Sequence, residues 1–412
     1  MEPARLLVTF FAVLFAVAPA VAVEEAATSC RPKNYAEFVS CVEGRSIDIQ
    51  VFERQLQSAQ KLEGVASQWI NPEFGADSVW KGSEKSETTA SLLFNIRLGG
   101  KKNALIAEAR SEAQKAVATR DLGKQQVRLQ IMLALYRLSH LESEIRIEEE
   151  TIQTFGKIVG QFEGRPARSP EQETSLSVFR MAQADHKLRL TKLRADQEQI
   201  VRLMTAQTGF TREVIFGSLP KRREAWPDLP SAINSEQAPQ IRQAASDLNI
   251  AKSLQARADG EAWPDLQIGP AFRSTKDGAD SNSYVGVALA IPIPVFNRNE
   301  GGRAYRAQKT AEAELTLQQS KLRIQAEQNS LENRYVEQVR SLKNTLSIKS
   351  LVDKHEQLER QFFKGLVSSA LVIEAHRQLF DFEQRRNESE LEALEAYGQL
   401  SILNNSFDGV IL

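Results

Sequence analysis

Sulfur, imidazole and charge of one sign are all in short supply in this chain. Its 412 residues include two cysteines, four methionines and four histidines. Met132, Met181 and Met204 do not cluster, so a soft-metal relay has no support. His140, His186, His355 and His376 stand singly on helical segments with no partner at metal-ligand spacing, and they read as ordinary surface or seam residues. Glycine comes in pairs, Gly99-Gly100 and Gly301-Gly302, without the spacing that cradles a phosphate. No catalytic constellation is visible, so neither an enzyme nor a cofactor is expected. Lysine plus arginine (52) balances aspartate plus glutamate (53), and a net charge of -1 leaves no basic footprint for nucleic acid. Beyond the N-terminus no apolar run reaches about 18 residues, so no transmembrane helix is expected.

What the chain does have begins at its N-terminus. Leu6 to Ala22 is apolar, follows Arg5 and closes on Ala20-Val21-Ala22, which predicts a signal peptide over residues 1–22 and a mature start at Val23. In an oxidising compartment Cys30 and Cys41 read as a disulfide. Lipidation at Cys30 is the rival reading, because Ala27-Thr28-Ser29-Cys30 faintly resembles a lipobox. Two free thiols are the third.

The mature chain then carries one pattern twice. At a fixed offset Ile49 pairs with Ile241, Leu56 with Leu248, Ala59 with Ala251, Leu62 with Leu254 and Pro72 with Pro264. Such a register marks a duplicated unit. It predicts an N-terminal segment over 23–45, a first repeat over 46–211, a linker over 212–235 and a second repeat over 236–408. Ser46 to Val65 has helical spacing, with Ile47, Val51, Leu56, Ala59 and Leu62 on a broad face. A strand is expected over 68–76 and a turn-like stretch over 77–86. From 87 to 99, Thr88, Ala90, Leu92, Phe94, Ile96 and Leu98 then alternate with mostly polar neighbours. The second copy repeats this with Leu266, Ile268, Pro270 and Phe272, a loop over 274–280, and Val285, Val287, Leu289, Ile291 and Ile293. Strands of this length suit a tilted bilayer crossing, and Trp69 and Trp263 sit where an interfacial belt would be.

Each hairpin is followed by a long helical pattern. One runs from about 102 to 155, with a seam of Val127, Ile131, Leu135, Leu138, Leu141 and Ile145. Its counterpart runs from about 304 to 355, with Leu331, Tyr335, Val339, Leu342 and Leu346. Both reverse, at Gly164 and at Gly365, into a returning helix, so both reversals lie at the same far end. Four strands cannot line a membrane alone, because an open edge leaves backbone groups unpaired in lipid. Membrane-spanning strands would therefore have to be shared among several copies in one barrel, with the helices continuing as a tube.

Ile291-Pro292-Ile293-Pro294-Val295-Phe296-Asn297-Arg298-Asn299-Glu300-Gly301 resembles the strand-to-helix turn of the TolC-type outer-membrane efflux proteins, in the branch that serves heavy-metal pumps. Leu98-Gly99-Gly100-Lys101-Lys102 is similar to the corresponding first-repeat turn. Phe363-Lys364-Gly365-Leu366-Val367-Ser368 with Leu371-Val372-Ile373-Glu374-Ala375 is similar to the hairpin tip that meets a periplasmic adaptor. The resemblance covers about 46–407. The first tip, Phe162 to Pro170, departs from the family pattern, as does the N-terminus with its two cysteines.

The resemblance implies a mainly α fold with a small β part. It implies a homotrimer with a 12-stranded barrel in outer-membrane lipid, continued by a periplasmic α-helical barrel closed at its tip. Its partners would be an adaptor and an inner-membrane pump, and its function a passive efflux conduit. A periplasmic coiled-coil scaffold, or a duct for type I protein secretion, is the alternative. Candidate docking and gating residues are Arg165, Arg168, Phe362, Phe363, Gly365 and Leu366. Glu374 is a candidate lumen carboxylate: if three copies converged, like charges would raise one another's pKa and attract cations. The alternative for Glu374, Arg165 and Arg168 is a solvated or ion-paired surface.

Overall fold

Apolar alternation builds a sheet and apolar seams build helices, and the two occupy separate regions. The computed structural model describes residues 30–82, 85–229, 235–345 and 348–407. The chain divides into two compact units, Met1–Cys30 and Arg31–Leu412, and every described helix and strand lies in the second. The expected signal peptide, the start at Val23, Leu346 and part of the 212–235 linker lie outside the described residues.

In chain order the elements are α1 (Tyr35–Arg45), α2 (Ile47–Ser67), β1 (Glu73–Lys81), β2 (Lys85–Ile96), α3 (Lys101–Glu163), α4 (Pro170–Thr208) and α5 (Arg212–Gly217). There follow α6 (Pro239–Gly260), β3 (Leu266–Asp277), β4 (Asp280–Ala290), α7 (Glu300–Asn344), α8 (Ile348–Phe363) and α9 (Ser369–Leu403). The 63 residues of α3 extend about 95 Å at the rise of an α-helix. Its expected seam is real: Val127, Ile131, Leu135 and Leu138 pack with Phe38 of α1, Ile49 of α2, Val201 and Met204 of α4, and Ile215 of α5. The adjacent stripe of α3, Leu129, Met132 and Tyr136, meets Leu394 and Ile402 of α9. A further core joins Ile241 of α6 to Ile324, Leu331, Tyr335, Val339 and Leu342 of α7 and Leu400 of α9. The residues between α5 and α6 are more than a passive connection. Ser139 donates to the Pro220 carbonyl, and Trp226 stands edge-on to Tyr335.

The four strands form one antiparallel sheet in the order β1-β2-β3-β4. Residues opposite one another on a ladder share a face. Ala76, Ala90, Phe272 and Val285 therefore line up across the sheet, as do Phe94, Ile268 and Leu289, and Phe74 with Leu92. This apolar face is open, with Val285 84% exposed. The other face carries Thr89, Arg273 and Tyr284 in one row and Ser91, Ala271 and Gly286 in another.

The structure corrects several boundaries. The expected turn over 77–86 and loop over 274–280 are largely strand, because β1 runs to Lys81 and β3 to Asp277. These polar ends lack the apolar alternation that marks a strand. They are held instead by cross-strand pairs such as Lys85–Asp277 at 2.7 Å and Ser78–Thr88 at 2.6 Å. Gly278, at φ +60, confines the second hairpin to a tight reversal. The first strand begins at Glu73 rather than 68. β2 and β4 end at Ile96 and Ala290, short of Gly99 and Ile293. The helix expected over 304–355 is two helices. Thr345 is extended at φ -88 and ψ 149, which ends α7 there. The broad face of α2 is also more open than its pattern suggests: Ile49 and Leu56 are buried, whereas Ile47, Val51 and Leu62 are exposed.

Candidate functional site

At the end of the helices away from the sheet, the α3–α4 and α8–α9 turns come together. Phe155, Ile158, Leu176, Phe179 and Val372 form a core there, with Phe162, Phe362 and Val367 packed on it. A cavity of about 620 Å³ between the two turns is lined by Phe162, Arg165, Phe362, Phe363 and Gly365 among others. The residues expected at the tip are thus brought together, but in different roles. Phe362 is half-buried, with its ring 5.7 Å from that of Phe179, so it packs the two turns together. Phe363 and Leu366 are exposed, Leu366 by 74%. Gly365 has φ +75 and its N–H donates to the Phe362 carbonyl, a left-handed close that favours glycine. Gly164 has an ordinary φ of -71, so the first reversal does not depend on it in that way.

The two arginines also separate. Arg168 donates from Nε to Glu173 at 2.5 Å and from Nη1 to the Phe162 carbonyl at 3.1 Å, placing a cation on the carbonyl end of α3. Arg165 is exposed, with its guanidinium 5.3 Å from the Phe162 ring centre. Glu374 is ion-paired within the single chain. Hydrogen bonds from Arg377, at 2.7 Å, and from Gln378 hold its carboxyl below the usual range.

At the strand–helix junctions Gly99 and Gly100 both have left-handed backbones, φ +68 and +76. A Cβ on Gly99 would lie 2.6 Å from the Gly260 carbonyl oxygen, and one on Gly260 2.5 Å from the Gly99 carbonyl oxygen, so the two junctions touch through bare backbone. Gly301 faces open space. The position that excludes a Cβ is Gly302, where Asn299 Oδ1 would be 2.1 Å away. Pro292 and Pro294 hold an exposed segment in which Ile293, Val295 and Phe296 all face outward. Neither Cys30 nor Cys41 is a free thiol.

The histidines have partners, which corrects their reading as isolated. His140, Glu144, Glu148 and Thr151 follow one face of α3, and all four are buried. His140 Nε2 lies 3.3 Å from Glu390 of α9. Glu144 Oε1 accepts from Arg137 and from Asn387, both at 2.9 Å. Glu148 lies 2.6 Å from His186 Nδ1 on α4. Thr151 meets His376 Nδ1 of α9 at 3.0 Å, and His376 Nε2 lies 3.0 Å from Glu359 of α8. Burial alone would raise the Glu390 carboxyl, but His140, the Arg223 N–H and Arg222 together hold it below its ordinary value. Contact with His376 likewise lowers Glu359. Burial, reinforced by His376, lowers His355.

With this geometry the chain can be set beside known proteins. No protein-family model matches it. The outer-membrane channel CmeC of Campylobacter jejuni superposes with a TM-score of 0.70 at 13% identity, covering 95% of this chain and 91% of that one. The chain has the fold of the TolC-type outer-membrane channels. The outer-membrane protein VceC of Vibrio cholerae agrees, with a TM-score of 0.68 at 15% identity over 89% of this chain and 95% of that one. Among curated proteins, the cobalt-zinc-cadmium resistance protein CzcC of Cupriavidus metallidurans is 23% identical over 272 residues, 64% of this chain. That match spans 63% of the relative's length. The resemblance carried by the turn and tip residues therefore holds at the level of the fold.

In this channel fold the polar face of α3 is what sequence reading missed. Its signal was present: beyond Leu141, the core-facing stripe continues into Glu144, Glu148 and Thr151, where a coiled-coil seam would place apolar residues. Their partners beyond α3 lie on α4 and α9, so sequence spacing could not pair them.

Proposed function

We propose that the chain is the outer-membrane component of a tripartite efflux system, a passive conduit carrying metal cations or small solutes to the exterior. The observation that carries this reading is the sheet, whose apolar face lies open and whose outer strands β1 and β4 each leave an edge without a partner among the described residues. An open edge is intolerable in lipid, and closure with further copies removes it. Three copies supply twelve strands, and their helices continue the barrel as a periplasmic tube. The duplicated unit, first repeat 46–211 and second repeat 236–408 joined by the 212–235 linker, supplies each copy's two hairpins. Trp69 and Trp263 mark the periplasmic interface of the barrel. The name of the curated relative supports heavy-metal cations as cargo. The signal peptide over 1–22 delivers the chain, and the Cys30–Cys41 bond ties down its exported start.

Arg165, Phe363, Gly365 and Leu366 form the end that an adaptor meets, with an inner-membrane pump supplying energy. The test is extraction of membranes from cells expressing the chain. Solubilisation only in detergent, as a trimer that dissociates on heating, is the expected result. Recovery as a soluble monomer or dimer in buffer would overturn the reading in favour of a periplasmic scaffold. Mass spectrometry of the same material should show a start near Val23 and an intrachain disulfide, and a lipid on Cys30 would refute both.

A further inference from the structure

The two arms of the second hairpin carry a ligand set that the conduit does not need. His355 and Glu359 stand one turn apart on α8 and face His376 on α9. One ligand atom from each lies within 4.8 Å of the other two. His376 Nε2 is 3.0 Å from Glu359 Oε1, and His355 Nε2 is 4.0 Å from the same oxygen. His376 is only 2% exposed, yet neither its Nε2 nor that of His355 makes a hydrogen bond of good geometry. Two buried imidazole nitrogens without hydrogen-bond partners, aimed at one carboxylate, are costly unless something satisfies them.

We propose that His355, Glu359 and His376 bind a divalent transition-metal cation of borderline softness, with zinc as the type case. Two imidazoles and one carboxylate, completed by a solvent molecule, make a tetrahedral set for this class of ion. At bond lengths of about 2.0–2.1 Å, tetrahedral ligand atoms stand a little over 3 Å apart, so a modest contraction of this cluster suffices. α3 supplies the outer support. The Thr151 hydroxyl meets His376 Nδ1 at 3.0 Å, which orients the ring and leaves Nε2 turned inward, while Thr154 hydrogen-bonds Glu359. Phe155, next to Thr154 on α3, stands edge-on to His376 at 4.8 Å and walls the site with hydrocarbon. Glu359 is part-exposed and gives the ion a way in. A bound ion would pin α8 to α9, about ten residues from the Gly365 turn and just past the break at Thr345. Among the described residues the other buried histidines form no group of three ligands: His186 is taken by Glu148, and His140 has only Glu390 beside it.

The site stands whether or not the chain forms the trimeric duct, since binding is read on the purified chain itself. The mature protein, carrying an affinity tag free of histidine and stripped with chelator, is titrated with Zn2+ by calorimetry and with Co2+ by visible absorption. One equivalent per chain, with the intense ligand-field bands of tetrahedral Co2+, is expected. Thr151→Val should weaken binding roughly 10–100-fold, and His355→Ala by more. Arg165→Ala, at the tip but outside the cluster, should leave the titration unchanged. If His355→Ala does not fold, the nearly isosteric Glu359→Gln carries the same test. Absence of saturable binding, or the same affinity and spectrum in wild type and a folded ligand variant, would overturn the proposal.

Discussion

The sheet and the helical bundle place their side chains in opposite senses. The sheet turns Val285, Val287 and Leu289 outward, while α3 encloses Glu144 and Glu148 with no exposure at all. A soluble domain would do the reverse in both places. In the sheet the remedy must come from elsewhere, because nothing among the described residues covers the apolar face. In the bundle it comes from within, through Arg137, Asn387 and His186. One region is built to be finished by its surroundings. The other pairs much of its buried polar surface within the chain, although Glu144 Oε2 and Glu148 Oε1 keep no hydrogen-bond partner among the described residues.

The largest expected effects test the self-contained half. His186→Leu leaves the buried Glu148 carboxyl without its partner and should destabilise the bundle by about 3–5 kcal/mol. The double variant Glu148→Leu/His186→Leu removes both members and should recover most of that loss. Denaturant unfolding of both proteins measures the difference. Equal instability of the single and double variants would show that the pair contributes through packing alone.

The open half is tested by Leu289→Lys. A charge on the apolar face near the bilayer midplane should cost about 2–4 kcal/mol and suppress assembly, whereas Ser91→Lys on the opposite face should be tolerated. Trimer recovery from membranes reports both. Between the two regions in size stands Gly269→Ala. An added Cβ would meet the Leu92 carbonyl oxygen at 1.8 Å, whereas Gly286→Ala enters open space. The first should cost about 1–3 kcal/mol and the second much less, read as a difference in trimer melting.

The two halves were not equally legible in the sequence. Strict alternation from Thr88 to Ile96 revealed the sheet, and Val127, Ile131, Leu135 and Leu138 revealed the core stripe of α3. Both signals are local and periodic. The strand ends at Ser78 to Lys81 and Ser274 to Asp277 were missed, because polar residues held by cross-strand pairs look like loop. The break at Thr345 was missed because neither glycine nor proline marks it. The polar seam was missed for a deeper reason. Its four α3 residues follow helical spacing, but their partners on α4 and α9 are brought close only by the fold. The tip residues were found through family resemblance, and only the structure separates Arg168, which caps α3, from Arg165, which faces outward.

Acid should expose the smallest of these differences. The Glu390 carboxyl is held below its ordinary value by His140, the Arg223 N–H and Arg222, even though burial opposes this. A carboxyl with a lowered folded pKa stabilises the fold above its unfolded value, 4.5, and that contribution fades as pH falls through the folded value. The bundle should therefore lose part of its melting temperature below about pH 4.5, and Glu390→Gln should flatten that fall while lowering stability at neutral pH. The sheet's apolar face carries no carboxyl, so Leu289→Ala should leave the slope unchanged. An acid slope identical in wild type and Glu390→Gln would overturn this assignment.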